Sequence, residues 1–363
     1  MLRKTGLLVA CAFLSATGLH AQPSEVEIAP DADFDHQWTA MEFPVQIGDL
    51  KRDRIVAYAD NQTNLSANYT GQLGDLFSLY IYRAGVADPS IWFDRAFFAL
   101  TQNSGYSTTD VAGQRTGMFT PPGGTSESGL LSVIKTGGSY RSTSVAIYAS
   151  GDWLVKVRYS SKKLDADAME KSLRGMLAQL PALENISAQP AYLIKSCTTA
   201  VKFKKAKRVK MDKDDAMSAA LLGALTGLVL DGATEEEESQ SATLEKPVTF
   251  CREGEATPQH TLYRPDEATD NYTIAFGDAG VSGYAGLDTL ANLFSNAESG
   301  KAQSKAQYLV SLRDGNKTLN YQPYRSLPKP EQTIKTIFNE NAISSSNRPL
   351  GDADSKISIG AGT

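Results

Sequence analysis

The chain has 363 residues, 41% of them hydrophobic and 21% charged, with a formal net charge of −5. Such a composition excludes an intrinsically disordered chain and a membrane-embedded bundle, and the mild acidity argues against nucleic acid as a partner. Three cysteines and three histidines leave little material for a Cys/His metal site, and their spacing fits no ligand pattern, so no metal and no cofactor are expected.

Residues 1–21 have the layout of a secretory signal peptide. Arg3 and Lys4 form a charged start, 7–14 is a short apolar run, and Leu19-His20-Ala21 ends on the small residue that a signal peptidase reads. The run is too short to span a bilayer. Leu8-Val9-Ala10-Cys11 also resembles a lipoprotein box, but Cys11 comes very early and the apolar run continues past it. Cleavage after Ala21 makes the mature chain an exported protein, periplasmic or secreted. It then keeps two cysteines, Cys197 and Cys251, and an even pair in an oxidising compartment reads as one disulfide.

Residues 22–33 read as a flexible leader rich in proline and acid. Strands are expected over 34–59, 67–70 and 76–82, with Phe77, Leu79 and Ile81 on one face and Tyr80 and Tyr82 on the other. Asp88-Pro89 opens a helix, Asp as N-cap and Pro at the first helical position, and its apolar residues circle more than half of it. Two further strands, 115–119 and 129–135, flank a Pro-Pro-Gly-Gly loop. A hairpin over 143–159 is the clearest element: Val145, Ile147 and Ala149 alternate into Gly151-Asp152, and Trp153, Val155 and Val157 alternate out. The same alternation puts Lys156 and Arg158 on a solvent-facing side. A helix over 165–180 follows, capped by Asp165 and striped by Met169, Leu173, Met176 and Leu177.

This order makes 34–185 an α+β domain with a mainly antiparallel sheet. With its Gly151–Val157 hairpin and closing helix, it resembles the PsbP-like fold over less than half of the chain. Members of that fold are mostly adaptor or accessory proteins, so the resemblance implies a non-catalytic role and carries over no functional residue.

A second α+β domain is expected over 190–338. It holds an apolar segment at 216–230, a mobile acidic insertion at 231–246, a strand at 272–276 and a helical stripe from Leu287 to Ala297. A hairpin turns at Asp314-Gly315, and a closing helix covers 330–338. Residues 341–363 read as a disordered tail.

Four features are candidate sites. Lys202, Lys204, Arg208 and Lys210 would share one face of a strand, either as a contact for an anionic surface or as a lysine-guarded sheet edge. Gly223 and Gly227 lie one helical turn apart, which suits a packed core helix or a contact between copies of a homo-oligomer. The aromatics Tyr80, Tyr82, Trp92 and Trp153 either line a pocket or fill the core. No catalytic motif is present. The reading is a non-catalytic, two-domain α+β binding or accessory protein of the cell envelope, ligand and partner unknown. Its rivals are a hydrolase of envelope polymers using carboxylates, and a membrane-associated or oligomeric protein touching its partner through 200–230.

Overall fold

The computed structural model describes residues 23–72, 74–102, 106–210, 247–288, 307–351, 353 and 356–359. Strand accounts for 43% of it and helix for 13%. The α+β expectation is therefore corrected: the fold is β-rich, two large antiparallel sheets with three short helices among the described residues. The signal segment, 216–230 with Gly223 and Gly227, and the acidic insertion 231–246 lie outside those residues. So does most of the stripe that begins at Leu287, which is itself the last residue of a strand.

The first sheet contains β1 (Ser24–Glu25), β4 (Gln46–Ile47), β5 (Leu50–Ala57), β6 (Asn64–Thr70) and β7 (Leu76–Arg83). It continues with β8 (Tyr106–Phe119), β9 (Gly129–Gly138), β10 (Ser142–Ser150) and β11 (Trp153–Ser161). β2 (Phe34–Asp35) and β3 (Glu42–Phe43) form a separate ribbon. The spatial order is β1-β5-β6-β7-β11-β10-β9-β8, with β4 on β5. After β7 the chain crosses one face as α1 (Pro89–Thr101) to the far edge, then returns as a meander until β11 pairs with β7. Asp88 caps α1 by accepting from the N–H groups of Ser90 and Ile91. The meander closes on the expected hairpin, Ser150 facing Trp153 across Gly151-Asp152, with Gly151 at φ 52°. α2 (Ala166–Leu177), capped by Asp165, lays Met169, Leu173 and Leu177 on the opposite face against Phe77, Leu79, Val155 and Val157.

The second sheet runs β12 to β20 in chain order: β12 (Lys195–Ser196), β13 (Phe250–Glu253), β14 (His260–Pro265), β15 (Tyr272–Phe276) and β16 (Val281–Leu287), then β17 (Tyr308–Arg313), β18 (Lys317–Tyr324), β19 (Ser344–Asn347) and β20 (Ile357–Ile359). Only β12 and β13 are parallel. α3 (Pro330–Asn339) packs Ile337 onto Tyr272, Ile274, Val310 and Leu312.

Three further expectations are corrected. The tail is built into the sheet as β19 and β20, with Ser344, Ser346 and Arg348 buried. Part of the leader is tied down: β1 pairs with β5, and the Ala32 carbonyl accepts from Arg52. Lys156 does not face solvent. α1 and the second sheet cover that side of the first, so Tyr263 and Ala275 join Trp92, Ile147 and Leu154 in one core cluster.

Cys197 and Cys251 are bonded, their Cα atoms 4.9 Å apart and 54 residues apart in sequence. Closing a loop of that length stabilises the fold by about 4 kcal/mol in the chain-entropy model. Replacing both cysteines by serine is expected to lower unfolding free energy by that order, measured by urea denaturation of oxidised wild type beside the variant.

Candidate functional site

The two sheets meet through charge. Lys156, on β11, keeps 4% of its side-chain exposure and donates to the carbonyl of Asp278 at 2.8 Å and to its carboxylate at 3.0 Å. Its ammonium also lies over the rings of Tyr80 (4.7 Å) and Tyr82 (5.3 Å). Burial lowers the Lys156 pKa, and Asp278 opposes the fall. Burial would raise Asp278, but Lys156, with help from Arg158 and Arg95, holds the carboxyl below its ordinary range.

α1 supplies the second fastening. Arg95, buried, donates to the carbonyls of Gly277, Thr257 and Pro258 and to the Thr261 hydroxyl, so these bonds cross to β14 and the loops beside it. Its neighbour Asp94 accepts from Arg252 and from the Tyr263 hydroxyl. At the helix start, Asp88 also accepts from Tyr192, whose hydroxyl in turn accepts from the Phe250 N–H. Burial raises the Asp88 pKa despite these donors.

The third fastening sits where β7 ends. One oxygen of Asp152 accepts from Arg83 at 2.9 Å and from Arg348 at 2.8 Å. Arg83 also donates to the carbonyls of Arg348 and Pro349, and Arg348 to those of Ala84 and Asp314. Burial pushes Asp152 up, yet Arg348 and Arg83 together carry it below the usual carboxylate range. Arg348 itself is lowered to about 10, chiefly by burial. Close approach is permitted by glycine. The Gly85 N–H donates to the Gly280 carbonyl at 2.7 Å, and a Cβ on Gly85 would sit 2.6 Å from the Arg313 carbonyl oxygen. Gly280 has φ +91°, a conformation that other residues adopt only with strain.

Beside this junction opens a cleft of about 240 Å³, lined by Tyr58, Asp60, Asn61, Asn64, Arg83, Asp314 and Asn316. Two of its amides already engage each other: Asn61 donates to the Asn316 side-chain oxygen at 2.6 Å, and Thr63 donates to the same atom at 2.9 Å. A second hollow, of about 390 Å³, lies between the end of β8 and α2, with Phe119, Pro122, Glu127, Arg174 and Leu177 on its walls. Among the described residues, no three of His, Cys, Asp and Glu gather as metal ligands. No described helix is long and apolar enough to cross a membrane.

The aromatic candidates do not form a pocket. Tyr82 and Trp92 stack edge to face at 6.5 Å in the core between the sheets. Trp153 packs in the cluster on the opposite face, its ring 4.8 Å from His36. Neither cleft includes any of the four. The basic candidates part company too. Arg208 turns inward onto the Tyr324 ring at 4.0 Å and bonds the Gln322 carbonyl, Thr336 and Glu340, whereas Lys202, Lys204 and Lys210 are exposed. The edge-strand reading of 200–210 is corrected: apart from one bridge between Arg208 and Tyr324, that segment pairs with no strand.

Compared with protein-family models, curated proteins and solved structures, the chain matches none.

Two outcomes follow from the fastenings. Asp278→Ala leaves the Lys156 ammonium buried without its carboxylate and is expected to cost roughly 3–5 kcal/mol, well above Lys156→Met, which removes the charge as well. Chemical denaturation of the two variants measures the difference. Acid acts in two stages. His36 is buried, and burial lowers its pKa from 6.5, so the unfolded chain takes up the proton first and stability falls as pH drops below about 6.5. His260 shifts in the same direction. Asp152 and Asp278 add stability that is present above about 3.8 and is lost as pH falls through their lower folded values. His36→Gln is expected to flatten the melting-temperature profile between about pH 7 and pH 5 while leaving the lower, carboxylate limb in place.

Proposed function

We propose that this chain is an exported, non-catalytic binding or accessory protein of the cell envelope. The observation that carries the reading is the use made of the buried ionisable groups. Lys156 with Asp278, Arg83 and Arg348 with Asp152, Arg95 and Asp94 with the second sheet, and Asp88 with Tyr192 each serve to fasten sheet to sheet or helix to sheet. Groups held in this way are committed to partners within the fold and are not placed to exchange protons with a substrate.

Other features agree. The disulfide suits an oxidising compartment, and residues 1–21 have the order of a cleaved signal. The resemblance of 34–185 to the PsbP-like fold, whose members mostly work by association, leans the same way.

Intact-mass measurement of protein recovered from the periplasmic fraction is expected to give a chain beginning at Gln22. Retention of Met1, or a lipid on Cys11, would overturn the export part. Incubated with peptidoglycan sacculi or purified lipopolysaccharide, the mature protein is expected to release no soluble sugar or peptide fragment. Release that survives repurification would establish the hydrolase in its place.

A further inference from the structure

The segment from Cys197 to Lys210 forms a belt across the helix-bearing face of the second sheet. It leaves β12 at the disulfide, where the Thr198 and Thr199 N–H groups donate to Glu267 and the Thr199 carbonyl accepts from buried Arg264. Midway, Phe203 meets the Tyr272 ring edge to face at 5.5 Å. The Gln332 amide on α3 then grips both sides of the Ala206 peptide, accepting from its N–H at 2.8 Å and donating to its carbonyl at 3.0 Å. At the far end, Lys207 accepts from the Arg325 N–H, and Val209 exchanges bonds with Pro323 and Gln322 on β18.

This anchoring decides where the side chains go. Phe203 and Ala206 turn toward the sheet and α3, Arg208 turns onto Tyr324, and Lys202, Lys204, Lys205, Lys207 and Lys210 stand in solvent. Among the described residues, none of the five lysine ammoniums has a hydrogen bond or ion pair. Nor do they guard a strand edge, since the belt joins no ladder beyond one bridge. At about 3.3 Å per extended residue they make a row some 25 Å long. Exposed Arg325, bonded through its N–H to Lys207, adds a sixth charge.

We propose that this belt is a docking surface for an anionic bilayer, its lysines binding the phosphate headgroups. Lysine ammoniums on flexible stems are point charges that suit many scattered phosphates; bidentate recognition of one group would call for arginine. The chain as a whole carries −5, so an anionic plane repels the rest of its surface on balance and selects the orientation with the belt facing it. The proposal rests on the belt alone. Failure of vesicle binding leaves the export and non-catalytic reading standing, and recovery of an unprocessed chain leaves the belt standing.

Co-sedimentation of the mature protein with vesicles tests it, using phosphatidylcholine alone and phosphatidylcholine mixed with phosphatidylglycerol. Binding is expected to the mixed vesicles only, and to vanish in high salt. Each lysine removed is expected to weaken partitioning roughly fivefold, so Lys204→Gln, Lys205→Gln, Lys207→Gln and Lys210→Gln together should lower it by more than about a hundredfold at an unchanged melting temperature. The single Lys204→Glu reads the same effect if the fourfold variant does not fold. Arg208→Gln is expected to do the reverse, lowering the melting temperature while the folded fraction still partitions. The proposal fails if mixed vesicles bind no protein at low salt, or if the lysine variants partition like wild type. It also fails if soluble polyphosphate binds the belt while the same vesicles do not.

Discussion

An ammonium group with 4% of its surface left to solvent costs several kcal/mol to bring out of water, and Lys156 recovers that only when the second sheet lies against the first. Asp278 belongs to the turn between β15 and β16, whereas Tyr80 and Tyr82 belong to β7. The pair therefore forms only in the assembled molecule. The same holds for Asp152, one oxygen of which accepts from Arg83 of its own sheet and from Arg348 beyond β19. Apolar surface alone would let two sheets slide over one another. Directional bonds to buried charges admit one register, and Gly85 and Gly280 remove the side chains that would prevent the backbones from reaching it.

That design explains which parts of the fold can be read from the chain. The hairpin of β10 and β11, the Asp88 and Asp165 caps and the stripe of α2 are local: each depends on residues within a turn or a strand of one another, and the periodicity states them. The disulfide follows from counting. Strand alternation places Lys156 in solvent for a specific reason. Alternation separates the two faces of a strand but does not say what covers the second one, and here much of the cover comes from residues more than 100 positions away, at Asp278 and Tyr263. β19 escaped for the opposite reason. Ser344 and Ser346 carry no apolar signal, yet they sit buried opposite Asn320 and Thr318, where ladder bonds to β18 and burial by the surrounding chain make the strand.

The candidate sites divide along the same line. Trp92, Tyr82 and Trp153 are large apolar groups, and a core takes them in whichever element they fall. Arg208 and its lysine neighbours look alike in sequence, since all are cations in one basic run. Only the position of Tyr324 and Glu340 tells the inward guanidinium from the outward ammoniums. No pattern within 200–210 holds that information, because it belongs to β18 and α3.

The disulfide has a consequence beyond loop entropy. Because Cys197 and Cys251 are 54 residues apart, the belt lies inside a covalent ring. A protease that cuts one peptide bond anywhere in that ring opens the circle without releasing a fragment. The two pieces still travel as one molecule until a reductant separates them, and β12 still pairs with β13. The outer ends of the sheets, which sit outside the ring, have no such insurance. A chain built this way keeps its two parts together after one cut within the ring, and only a second cut or reduction of the bond lets anything go.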